Sequence, residues 1–236
     1  MTSTDDTTTT GITTSIAEVI ARMQQIESSL PATDGVACFN RMYLQVTQDV
    51  AGRLSQGFFS DPAFMEALDV RFANIYFAAI DEASGPPTQI PPAWQPLIGA
   101  RSDSRIDPIQ FALAGMNTHI NHDLPIALVD TCGQLATAPD EGTHHADYQK
   151  VDTLLDNAEQ SIRESFESGV GLQTDRDAHA VLNLIANWSI NSARDVAWDT
   201  AMALWMSRHV EGVEDLLMNG LARTVAMASR CLLVAT

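Results

Sequence analysis

Apolar residues in this chain recur three and four places apart over almost its whole length, and strict alternation is absent. That pattern decides the fold class, because a helix repeats every 3.6 residues and a half-buried strand every two. Ile16, Val19, Ile20, Met23 and Ile26 keep the spacing between Ile12 and Leu30, where Pro31 stops it. Phe39, Met42, Tyr43, Val46 and Val50 resume it from about Val36 to Leu54, after Asp34 as a cap and before Gly57 as a stop. Ser60-Asp61-Pro62 sets a capping residue before a proline in the first turn, where the missing N–H is no loss. It opens a helix to about Ala83 with the stripe Phe64, Leu68, Phe72, Ile75 and Ala79, and Asp69 is expected to pair with Arg71 or face the opposite way. Hairpin signals are missing. The chain is expected to be all-α: a disordered Thr-rich tail over 1–12, then a single-domain helical bundle of about eight helices over 13–236 with a central kinked helix.

That central helix opens at Asp107-Pro108 and contains FALAGMNTHINHDLPIAL, Phe111 to Leu128. His119, His122 and Asp123 stand at i, i+3 and i+4 and share one face. Asn117 and Asn121 form a second polar pair, also at i and i+4. Pro125 would clash with the Asn121 carbonyl in a regular helix, so a kink or break is expected just after the cluster.

Further candidates follow along the chain. His144, His145, Asp147 and Tyr148 lead a long helix to about Phe166, with Asp147 on its core-facing side one turn before Val151, Tyr148 and Asp152 together on an adjacent face, Glu159 and Arg163 as an exposed pair, and the two histidines exposed on a loop. Asp175 or Asp177 caps the next helix, which Leu182, Ile185 and Ala186 begin. Trp188, Asn191, Asp195, Trp198, Met202 and Trp205 then read as a heptad-like seam, with Arg194 beside it. A central arginine needs a partner, either an acid or the anionic group of a substrate. Cys38, Cys132 and Cys231 are too far apart for a zinc knuckle or a disulfide framework and read as buried small residues.

Composition removes several function classes. The formal net charge is −17, and Lys150 is the only lysine. So few cations cannot form a basic patch, which argues against nucleic acid and anionic membrane surfaces as partners. No stretch approaches the roughly 18 apolar residues of a membrane span. The N-terminus lacks the basic and apolar regions of a secretory signal, and a soluble, cytoplasmic protein is expected.

AWQPLIGA, FALAGMNTHINHDLPIAL, DYQKVDTLL and NWSINSARDVAWDTAMALW together resemble an uncharacterised helical bacterial family, a domain of unknown function, over most of the chain after about residue 35. Its motif, Asn-x-His-Ile-Asn-x-Asp-Leu-Pro, falls on Asn117, His119, Ile120, Asn121, Asp123, Leu124 and Pro125, and leaves His122 at a free position. An Ala-Arg-x-x-Ala-Trp piece falls on Ala193, Arg194, Ala197 and Trp198. The resemblance implies no settled activity. His-x-x-x-Asp is also similar, in metal-site style only, to the helical zinc-dependent phospholipase C and nuclease fold. Here Pro125 follows Asp123 by two residues rather than four, and six histidines are too few for a trinuclear site.

Three functions are compatible with these residues. The first is a small-molecule enzyme with an inter-helix site centred on His119 and Asp123. They would bind a divalent metal (Fe, Mn or Zn) completed by Asp147 or Asp152 and by His122, with Arg194 holding an anionic substrate group. His144, His145 and His179 are further potential ligands. The second is a metal-free isomerase or cyclase in which His119, oriented by Asp123, is the general acid–base. The third is a non-catalytic binding module whose polar cluster fixes helix packing. An oligomer is compatible with all three.

Overall fold

Side-chain caps set the helix starts. Ser15 accepts from the Glu18 N–H, Asp34 from Val36 and Asp61 from Phe64, so α1 spans Ile16–Ser29, α2 Gly35–Ser55 and α3 Pro62–Glu82. The computed structural model describes residues 11–83, 85–86, 89–155 and 189–235. After α3 come the short α4 (Gln95–Ala100) and then α5 (Pro108–Thr118), a π-helical turn (His119–Asp123) and α6 (Leu124–Leu135) as one continuous rod. α7 (His144–Lys150), α8 (Ile190–Ser207) and α9 (Val213–Leu232) complete the described helices. Counting the rod once, there are eight helices and no strand among the described residues. The fold is all-α, as the spacing predicts.

The α5–α6 rod is the axis of the bundle. α2 and α9 pack on its α5 half, α3 and α8 on its α6 half, and α1 lies outside against α2 and α3. Two small residues allow the close approach of α2 and α5. A Cβ at Gly115 would fall inside the Phe39 side chain, and one at Gly35 inside the Phe111 ring. Polar bonds fix α9 to the rod: the Asn117 amide donates to the Val225 carbonyl and Ser229 Oγ, and Gln110 Nε2 to the Leu232 and Val234 carbonyls.

The rod does not break after the polar cluster; the helix widens within it. The Leu124 N–H donates to the His119 carbonyl, five residues back. Pro125 has no N–H and its ring crowds the carbonyl four residues earlier, so the turn before it takes an extra residue instead of ending the helix. Asn121 keeps its foreseen partnership with Asn117, donating to both its carbonyl and its side-chain oxygen.

Other differences have local causes. Arg71 pairs with Asp130 across the α3–α6 contact and leaves Asp69 without it. The buried face of α8 is Ile190, Ala193, Arg194, Ala197, Trp198, Ala201 and Leu204, so Asp195 is exposed and the heptad seam is displaced by one residue. His144 is buried and stacked on Phe64 at 3.7 Å, whereas His145 is exposed and stacks on Trp198. Cys231 is exposed, while Cys38 and Cys132 are buried. The expectations for residues 1–10, the Glu159–Arg163 pair, the Asp175 or Asp177 cap, His179, the Leu182–Ala186 core and Trp188 lie outside the described residues. No helix among the described residues is long and apolar enough to cross a membrane.

Candidate functional site

The widened turn brings both histidines onto one carboxylate. Asp123 is fully buried. Its Oδ2 accepts from His119 Nδ1 at 2.9 Å and from Trp94 Nε1 at 3.0 Å, and its Oδ1 from His122 Nδ1 at 2.7 Å. Burial alone would raise the Asp123 pKa, but the bonds from His119 and His122 outweigh it and hold the group below the usual carboxylate range. An ionised carboxylate only accepts, so both histidines must carry their proton on Nδ1.

This assignment fixes the chemistry of His119. Burial lowers its pKa more than the Asp123 carboxylate raises it, so the ring is neutral at pH 7. With the proton on Nδ1, Nε2 presents a lone pair. That atom is buried and makes no hydrogen bond to the protein. The ring lies flat against Phe72, with centroids 3.5 Å apart and planes 5° from parallel, and Tyr43 meets it at 4.5 Å. Phe39, Tyr76 and Trp94 surround it further out. The imidazole is thus clamped in one orientation by a carboxylate on one edge and aromatic rings on its faces.

His119 lines a cavity of about 80 Å³ between α2, α3, the rod, α7 and α8. One water needs about 10–15 Å³, so the space holds a small molecule or several waters. The wall is largely apolar: Met42, Val46 and Val50 from α2, Met65 and Leu68 from α3, and Met116, Ile120 and Leu124 from the rod. Two further polar groups of the wall are buried, Asp69 Oδ2, which makes no hydrogen bond to the protein, and the Tyr43 hydroxyl, whose neighbour on α2 is the Thr47 hydroxyl. Burial, then the Glu66 charge, pushes the Asp69 carboxyl up to about 7. Burial and then the Asp69 charge push the Tyr43 phenol well above its ordinary value, so it stays protonated.

The remaining foreseen site residues sit elsewhere or are already engaged. Arg194 lines the cavity, but its Nε donates to Asp152 Oδ1 and its Nη2 to the Tyr148 carbonyl, both at 2.6 Å, and its guanidinium stacks on the Tyr148 ring. The Tyr148 hydroxyl returns a bond to the Arg194 carbonyl at 2.7 Å. Asp152 is therefore a partner for Arg194 and not a ligand beside His119. Asp147 is fully buried at the start of α3, accepting from the Ser60 and Asp61 N–H groups and from Lys150 Nζ. It ties α7 to the α3 N-terminus and does not line the cavity.

The metal-ligand set His119, His122, Asp123, Asp147 and Asp152 is consequently not assembled. Both oxygens of Asp123 and the Nδ1 atoms of both histidines bond to one another, and among the described residues no group of three or more His, Cys, Asp or Glu side chains is placed to hold a metal ion. This donor set does not fit the expected centre.

Three residues of the site escaped the sequence reading: Tyr43, Asp69 and Trp94. Asp69 carried a signal. Met65, Asp69, Phe72 and Tyr76 follow at i, i+4, i+7 and i+11, which sets a lone carboxylate within an inward-facing row. Trp94 had none, since its bond to Asp123 depends on how the segment before α4 returns to the rod.

The chain belongs to a family of unknown function, DUF5995, whose model matches residues 16–235. No curated protein and no solved structure matches it.

Proposed function

We propose that this protein is a metal-free acid–base enzyme that transfers a proton on a small, largely apolar molecule held between the helices, with His119 as the base. One observation carries the reading: a buried, neutral imidazole, oriented by an ionised carboxylate, presents an unpartnered Nε2 in the wall of an apolar cavity. Burying an unpartnered polar atom costs about 1–3 kcal/mol. A site that serves only packing gains nothing from this arrangement, whereas a base needs it. Asp123 is a positioning residue, fixing the tautomer and stabilising the imidazolium that forms. Trp94 and His122 hold Asp123 in turn. We take the setting to be cytoplasmic, on the acidic composition and the free thiols.

Deuterium exchange tests the reading. The protein is incubated in D2O with a panel of small ketones, aldehydes, esters and nitroalkanes, and loss of the acidic C–H signal is followed by proton NMR. Wild type is expected to accelerate exchange in at least one compound, and His119→Ala to abolish that acceleration with its helical circular dichroism intact. Equal rates in the variant, or no acceleration across the panel, would refute it.

A further inference from the structure

The cavity has a second polar side, and its chemistry complements that of His119. Tyr43 lies on α2 and Asp69 on α3, and both line the same space as His119. The Tyr43 hydroxyl and Asp69 Oδ2 are sealed from solvent; Asp69 Oδ2 bonds to nothing in the protein, and the Tyr43 hydroxyl has only the Thr47 hydroxyl, one turn along α2, as a neighbouring partner. Phe72, one turn after Asp69 on α3, stacks on the His119 ring and meets Tyr43 at 5.7 Å, so the three residues share one wall. Arg194, the one cation among the described lining residues, is committed to Asp152 and the Tyr148 carbonyl.

We infer that Tyr43 and Asp69 form an oxygen-binding pair and that the ligand of this cavity is an uncharged carbonyl compound. The inference rests on the proposed role of His119 and names the substrate class for that site. A phenol and a neutral carboxylic acid both donate hydrogen bonds, and the raised pKa of Asp69 keeps a proton available there up to about 7. A carbonyl oxygen accepts two such bonds. An anionic ligand would instead meet an acid with no free cation to offset it.

The reaction then balances without a co-reactant. The Nε2 lone pair of His119 takes a proton from the carbon next to the carbonyl. The C–H electron pair becomes a C=C bond, and the carbonyl π pair moves to oxygen, where Tyr43 and Asp69 stabilise it. The proton on Nε2 swaps with one from water before its return to the same carbon, giving exchange, or passes to a conjugated carbon further along, giving isomerisation.

Binding of three five-carbon-ring probes separates the possibilities: cyclopentanone, cyclopentane and cyclopentanecarboxylate, measured by NMR titration of the full-length protein. Cyclopentanone is expected to bind about tenfold more tightly than cyclopentane, the effect of one to two good hydrogen bonds. Tyr43→Phe and Asp69→Leu should each remove most of that preference, while Asp69→Asn, which keeps a neutral donor, should retain it. A ketone bound no better than the hydrocarbon, a preference unchanged in both Tyr43→Phe and Asp69→Leu, tightest binding of the carboxylate, or binding of none of the three would overturn the inference. Exchange separates this from the reading beneath it. If the ketone preference follows the variants but wild type catalyses no exchange, the oxygen site stands and the base falls. If wild type catalyses exchange with the preference absent, the reverse holds.

Discussion

Replacing Asp69 with Asn should stabilise the protein, and more so as the pH rises. In the folded chain, burial and then the Glu66 charge push the Asp69 carboxyl from 3.8 up to about 7. In the unfolded chain it titrates near its ordinary value of about 3.9. Between the two values the folded state holds a proton that the unfolded state has released, so stability falls as pH rises from about 4 to 7 and then levels off. The full gap corresponds to roughly 4 kcal/mol. Asp69 is partly exposed as a residue, and water takes up part of that cost. Asn has a similar shape and cannot ionise. Urea unfolding of both proteins at pH 5 and pH 8 should therefore show the advantage of Asp69→Asn growing by about 1–2 kcal/mol between the two pH values. An advantage independent of pH would mean that Asp69 ionises at its ordinary pKa and is no proton donor to the cavity.

Three other outcomes are expected. Gly115→Ala should destabilise the fold by about 1–2 kcal/mol in chemical denaturation, because the new methyl meets Phe39, which Tyr43, Tyr76, Trp94 and His119 hold in place. Asp123→Asn should cost roughly 3 kcal/mol, since one oxygen acceptor is left for the three N–H groups that now converge on two, and the new NH2 meets at least one of them. Protein purified without chelator should carry no stoichiometric metal, and added Fe, Mn or Zn should leave its melting temperature unchanged; a rise of several degrees would restore the metal-centred reading.

The helices were legible in the sequence because their starts and inward faces are local. Asp34, Asp61-Pro62 and Asp107-Pro108 act within one turn of themselves, and the helices begin where those residues set them. His119 and Asp123 were legible for the same reason, being one turn apart on one helix. The partners that define their chemistry were not. Trp94 lies 29 residues from Asp123, and Arg194 reaches Asp152 across 42 residues. Periodicity says which residues face inward but not which two inward residues meet. Asp147 shows the consequence: its core-facing position was read correctly, yet what it faces is the backbone of Ser60 and Asp61, not the cavity. Pro125 shows the other limit. Its conflict with a regular helix was evident, but a helix can resolve that conflict by ending, bending or widening, and packing of the surrounding helices on the rod favours the continuous form.

The protonation state of the His119 ring is the most direct test of this account. Nitrogen-15 NMR of the histidine side chains, with His119 assigned through His119→Gln, reports which ring nitrogen carries the proton. The ring is expected to be neutral at pH 7, protonated on Nδ1 with Nε2 bare, and to titrate below the ordinary 6.5. A proton on Nε2, or a doubly protonated ring at pH 7, would contradict it, because His119 would then have no lone pair to offer the cavity.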